Sequence, residues 1–185
     1  MPDRPDRRRA IVEAALAVIG ETGPAGFTQP RVAAQAGLRQ SHLTYYYPTR
    51  DDLLVAVAEE AVRRRVALLR EAVEGADGPE EQIAALARVL AAPEHTRVLL
   101  ALTQAADQNA AVREAFGALA AGIGPVGAAL LTAAGVRADP AAVALLQATS
   151  TGIAVLALAR GEDVTGRAEQ LLHTFVDRLS GKDPS

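Results

Sequence analysis

No stretch of this chain alternates apolar and polar residues as a half-buried strand requires, and that absence constrains the fold most. The apolar residues, mostly Ala, Leu and Val, recur at three- and four-residue spacing between Gly and Pro interruptions. That periodicity predicts an all-α chain of about nine helices. Half of the 185 residues are hydrophobic, enough for a real core in one large domain or two small ones.

The helix boundaries follow from capping chemistry. Ile11, Ala15, Leu16 and Ile19 form one stripe of a helix opening at Asp6 or Arg7; Gly20 and Gly23-Pro24 end it. Thr28 before Gln29-Pro30 is an N-cap followed by Pro in the first turn. The second helix therefore runs from Gln29 to Ala36, with Val32, Ala33 and Ala36 inward. Gly37 supplies the positive φ of a tight turn, and Leu38 plugs it. A third helix starts at Ser41 or Arg39-Gln40 and reaches Tyr46 or Tyr47 before Pro48 stops it. Thr49 caps a fourth, whose first turn holds Asp51 and Asp52 in agreement with the helix dipole. It continues through Leu53, Leu54, Val57, Ala61, Val66, Leu69 and Val73 to the Gly75–Pro79 cluster. Two short helices joined by a Gly turn, behind a longer supporting helix, read as a helix-turn-helix.

Five further helices are predicted: Glu80 to Ala91, Glu94 to Asp107, Asn109 to Ala134 with kinks at Gly122, Gly124, Pro125 and Gly127, Pro140 to Arg160 capped by Asp139, and Thr165 or Gly166 to Ser180. The tail KDPS is expected to fray. Residues 1–50 would form the head and 51–185 the body, with the fourth helix, 50–75, joining them. Ala144, Ala148 and Gly152 recur every four residues, and Leu171, Leu172, Phe175, Val176 and Leu179 make a wide apolar face. Two such helices imply a four-helix interface with a second copy; ordinary core packing is the alternative.

Charge is divided along the chain. Residues 1–50 hold seven Arg against Asp3, Asp6, Glu13 and Glu21, a net of +3, while the remainder carries −6. A basic head on an acidic body suits a phosphate-binding reader of DNA. The Arg7–Arg9 cluster is either a phosphate contact or a solvated N-terminus. With no cysteine and three scattered histidines, thiolate and clustered metal sites are excluded and no cofactor is expected. The charged start lacks a signal-peptide pattern, and the apolar runs look broken before membrane-spanning length, so a cytoplasmic protein is expected. No nucleophile elbow or metal motif points to an enzyme.

The ordered series Ile11, Ala14-Ala15, Gly23, Phe27-Thr28, Val32-Ala33, Ala36-Gly37-Leu38, Leu43, Tyr46-Tyr47-Pro48-Thr49-Arg50-Asp51 and Leu53-Leu54 resembles the head of the tetracycline-repressor (TetR) family of bacterial transcription regulators. The resemblance covers about residues 8–55. It implies a three-helix head, a ligand-binding body, a homodimer built by the last two long helices, a palindromic double-stranded operator, and release when a small molecule fills the body. By position, it implies that Gln40, Ser41, His42, Thr44, Tyr45 and Tyr46 face the major groove and its flanking phosphates. Thr28, Gln29 and Arg50 would hold phosphates, with Leu38, Leu43 and Tyr47 as head core. The pattern departs at Thr44, where the family usually has Tyr, so the phosphate-contacting phenol falls to Tyr45 or Tyr46.

Gln40 can pair bidentately with adenine, and Arg50 joins a guanidinium to a helix N-terminus. In the body, Gln104 and Gln147 are the first candidates for a pocket, with Leu100, Thr151 and the fourth-helix wall at Val57 and Ala61. A small, largely apolar effector is expected. The alternatives are a DNA-binding regulator without effector, or a helical small-molecule-binding module without DNA function.

Overall fold

The computed structural model describes residues 4–161 and 165–181; the expected fraying of KDPS lies outside them. Nine α-helices and no strands occur among the described residues: α1 Arg4–Thr22, α2 Gln29–Gln35, α3 Gln40–Tyr46, α4 Arg50–Glu74, α5 Pro79–Ala91, α6 Pro93–Gln108, α7 Ala110–Ala133, α8 Pro140–Arg160 and α9 Thr165–Ser180. A 3₁₀ turn at Pro24–Gly26, not expected from the sequence, follows α1.

The caps act as their residue types predict. Thr28 Oγ1 accepts from the Arg31 amide at 3.4 Å, and Asp139 Oδ1 from the Ala142 amide at 2.9 Å. Asn109 Oδ1 accepts from Ala111 and Val112 at the start of α7. At α4 the cap is reciprocal: the Asp52 amide donates to Thr49 Oγ1 at 3.0 Å while the Thr49 amide donates to Asp52 Oδ2 at 2.9 Å. Helix α7 continues through Pro125 as one assigned helix.

The helices group into two compact units. The first takes in the chain up to Arg64 together with Arg97–Ala118. Its core joins Ile11, Ala15 and Ile19 of α1 to Val32, Leu43, Leu53 and Val57, and also to Leu102 and Val112. Arg97 donates to the Gly20 carbonyl at 2.8 Å, one of the carbonyls that the end of α1 leaves without a helical partner. Arg64 pairs with Glu13 of α1 and with Glu60 one turn back. Burial opposes the Glu60 carboxylate, but hydrogen bonds from Arg63 and Arg64 outweigh it and hold its pKa below the ordinary value.

The second unit comprises Arg65–Thr96 and the chain from Leu119 onward. Its centre is α5, whose Ile83, Leu86, Ala87 and Leu90 form a buried i, i+3, i+4, i+7 stripe packed by α8 and α9. Leu69 and Val73 from α4 and Leu130 and Leu131 from α7 complete this core. Gly122 lets α7 approach α4: a Cβ there would lie 2.7 Å from Val66 Cγ2.

Two expectations change here. Leu172 and Val176 are sealed in the second unit's own core, because α9 turns that side toward α5; neither offers surface to a second copy. Helices α7 and α8 are long and apolar enough to cross a membrane by length and composition, contrary to the reading of broken apolar runs. Their interrupting residues are mostly small or uncharged and lower the mean hydropathy little, and α8 is packed within the second unit.

Candidate nucleic-acid interface

The recognition element is built from the turn outward. Gly37 has φ +66°, its amide donates to the Ala34 carbonyl at 3.1 Å, and the Leu38 amide donates to the Ala33 carbonyl at 2.8 Å. This paired arrangement is a Schellman motif, which ends α2 and turns the chain directly into α3. Leu38 packs against the first unit's core beside the turn.

Helix α3 has only seven residues, too few to persist on propensity alone. Tertiary contacts hold it. Leu43 is fully buried and Tyr47, just past its end, is 6% exposed. Gln29 Nε2 donates to the Tyr47 carbonyl at 3.1 Å, and Arg8 donates to the Tyr46 carbonyl at 3.0 Å. The Arg8 guanidinium also lies 5.2 Å from the centre of the Tyr47 ring. Burial raises the Tyr47 phenol above its ordinary pKa, with the Arg8 charge working against that shift. Tyr47 is thus a core residue, and Arg8 of the basic cluster is engaged within the chain.

What α3 leaves outside is a polar face. Gln40, Ser41, His42 and Tyr45 are exposed, and Thr44 and Tyr46 are half-buried. Tyr45, 68% exposed, meets Tyr46 edge to face with ring centroids 5.2 Å apart. Thr44 donates its hydroxyl to the Ser41 carbonyl at 3.1 Å. Tyr46 packs part of its ring on the core, so Tyr45 carries the more accessible phenol.

The flanking positions differ in what they present. Thr28 is exposed at the start of α2. The Gln29 side chain is engaged at the end of α3 rather than turned wholly outward. Arg50 is exposed at the start of α4, with its guanidinium carbon 5.2 Å from the centre of the Phe27 ring and Nε 3.5 Å from the Phe27 carbonyl. The Thr49–Asp52 pair takes up the Asp52 amide in the first turn of α4, beside the exposed Arg50 side chain.

Of the expected pocket residues, Val57, Ala61, Leu100 and Gln104 lie in the first unit and Gln147 and Thr151 in the second. Val57 is fully buried in the first unit's core, because its stripe of α4 faces α1 and the helix-turn-helix core. Ala61 is half-buried against the same core and Leu100 is 36% exposed. Gln104 lines an open cleft of about 600 Å³ with Phe27, Arg50, Leu54, Ala101 and Gln108; it is the one member of the expected set there. In the second unit, Gln147 donates to the Ala120 carbonyl at 3.4 Å and Thr151 is exposed. No group of acidic, His or Cys side chains suited to a metal occurs among the described residues.

A short exposed helix, fixed by a Schellman turn to a second helix and seated on a third, defines a helix-turn-helix DNA-binding regulator. Residues 11–57 match the sequence model of the bacterial regulatory proteins, tetR family. The chain is 30% identical to a TetR-family member from Streptomyces coelicolor A3, over 91% of this chain and 97% of that one, with a TM-score of 0.66. It is 31% identical to the multidrug binding protein EbrR in complex with ethidium, over 94% of this chain and 99% of that one, with a TM-score of 0.67. A transcriptional regulator from Rhodococcus sp. Rha1 shares the fold at a TM-score of 0.81 and 21% identity, covering 96% and 99% of the two chains. The transcriptional regulator BetI of Rhizobium meliloti is 33% identical over 118 residues, 59% of this chain; the match spans 56% of that relative's length. This chain belongs to the TetR family of transcriptional regulators.

Proposed function

We propose that this regulator is a homodimeric, ligand-responsive repressor of the cytoplasm that leaves a palindromic operator when a small molecule binds its body, and that it has no catalytic role. The observation that supports this most is the two-sidedness of α3. Leu43 anchors one side in the core, while Gln40, Ser41, His42 and Tyr45 stand exposed on the other. Gln40 matches the bidentate edge of adenine, and His42 reaches a base or a phosphate. Ser41 permits close approach. Thr44, Tyr45 and Tyr46 offer hydroxyls to the flanking backbone, with Thr28, Gln29 and the Arg50 guanidinium on phosphates.

Two heads would read half-sites about 34–36 Å apart. The face offered to a second copy is Ala144, Ala148 and Gly152 of α8 with Leu171, Phe175 and Leu179 of α9. Leu145, Leu156 and Leu171 support this reading: they are 52%, 54% and 43% exposed, large apolar side chains left uncovered by the chain itself. Effector control is supported by similarity to EbrR, which has been solved with ethidium and with proflavin. The effector would bias the body toward a head spacing that no longer fits DNA.

Footprinting on the intergenic DNA upstream of the chain's own gene tests the reading. Protection of two symmetric half-sites one helical turn apart is expected. Binding equal to that of scrambled DNA, or protection of a single half-site, counts against it.

A further inference from the structure

Helix α4 carries three consecutive arginines, and the structure treats them differently. Arg63 and Arg64 reach Glu60, and Arg64 also reaches Glu13. Arg65 falls in the second unit, where it is mostly buried and pairs with no carboxylate among the described residues. Its one hydrogen bond runs from Nη1 to the Val89 carbonyl of α5 at 3.4 Å. A guanidinium presents five N–H donors in a planar fork that matches a carboxylate bidentately. Here one long bond to a neutral carbonyl occupies it.

The surroundings sharpen the point. Leu69 and Val73 continue the Arg65 stripe along α4 at i+4 and i+8, and both are buried. His95, at the start of α6, is half-buried; burial first, and then the Arg65 charge, lowers its pKa, with Glu94 acting the other way. Thr96 beside it is buried. Phe175 is the only aromatic residue in the unit, so no aromatic cage for a cation is present. A buried charge without a counter-charge is costly, and an apolar side chain of similar volume would serve packing better.

We propose that Arg65 anchors an acidic group on the effector, so that the second unit takes a small molecule with a carboxylate for the guanidinium fork. This rests on the ligand-responsive reading above and narrows its chemistry. An apolar effector alone leaves Arg65 uncompensated, and a cation meets repulsion.

Thermal melting and operator release by the full-length chain test it, with octanoate, decanoate and benzoate as probes. The matched controls are octanol, decanol, benzyl alcohol and octylamine, with ethidium as an aromatic cation. One or more of the acids is expected to raise the melting temperature and release DNA, while alcohols and cations do not. Arg65→Met is expected to bind those acids about 10–100-fold more weakly, from the loss of charged hydrogen bonds. Arg65→Lys keeps the charge without the fork and is expected to weaken them several-fold, which decides the matter if the Met variant fails to fold.

Acids without effect on the wild type, or variants that respond as the wild type does, overturn the assignment. Release by neutral or cationic compounds with the acids silent sinks the assignment while leaving ligand control standing. Release by no compound of any charge removes both.

Discussion

Replacing Leu43 by Ala tests whether tertiary anchoring, rather than helix propensity, holds the recognition helix. Leu43 is the only residue within α3 that is fully buried, and it sits in the cluster joining α1, α2 and α4. Three carbons leave that core. At about 0.8 kcal/mol per buried methylene the transfer part is roughly 2.4 kcal/mol. A cavity adds to it, which places the loss at about 3 kcal/mol, within the usual 2–5 for Leu→Ala. For a chain of this size, about 2–4 °C per kcal/mol makes the melting temperature fall by roughly 6–12 °C. His42, the next residue, is exposed, so His42→Ala should stay within about 0.5 kcal/mol of the wild type while altering DNA binding. Circular-dichroism melts and anisotropy titrations on the two variants give both readouts. A Leu43→Ala melt within 2 °C of the wild type, or an equal drop in His42→Ala, would refute the reasoning.

Two glycines separate conformational from steric cost. At Gly37 an added Cβ meets nothing within 4 Å, so Gly37→Ala should lose only the ~1–2 kcal/mol of a positive φ. At Gly122 the ~1 kcal/mol helix gain of Ala is outweighed by overpacking of about 1–3 kcal/mol against the stiff Val66, so denaturant titration should show net destabilisation there too. Asp52, Glu60 and Asp139 all have pKa values held below normal. For Asp52 the cause is hydrogen bonding to Thr49; for Asp139 it is first the Ala142 amide. Their stabilising contribution is present above the ordinary carboxylate range near pH 4 and disappears as pH falls through the folded values, so melts should steepen in their loss below about pH 4. Leu171→Glu should give a folded monomer in light scattering, whereas Leu172→Glu, at a fully buried position, should abolish folding.

Much of this fold was legible because its punctuation is local. Thr28, Thr49, Asn109 and Asp139 cap as Ser/Thr/Asx chemistry dictates, and Gly37 turns where only positive φ fits. What periodicity cannot carry is the identity of the neighbouring helix. Leu171 and Leu172 read alike as apolar face, yet one is 43% exposed and the other sealed. Val57 looked like a pocket wall because it is apolar and on α4, but its stripe belongs to the first unit's core. The same limit hid the division at Arg64 and Arg65, which takes the later part of α6 into the unit of the helix-turn-helix. The roles of Arg8 and Gln29 at the end of α3 depend on contacts 38 and 18 residues away in sequence.

The central claim is that the helix-turn-helix reads DNA with Gln40 of α3 as a base contact and Arg50 at the start of α4 as a phosphate contact. Measuring operator affinity against salt concentration for wild type, Gln40→Ala and Arg50→Ala addresses it most directly. Gln40→Ala should keep the salt slope and lose ~1–3 kcal/mol of preference for the operator over mutated sites. Arg50→Ala should weaken binding to every sequence and reduce the slope by about one unit per head. Variants that match the wild type in both slope and preference would contradict the account.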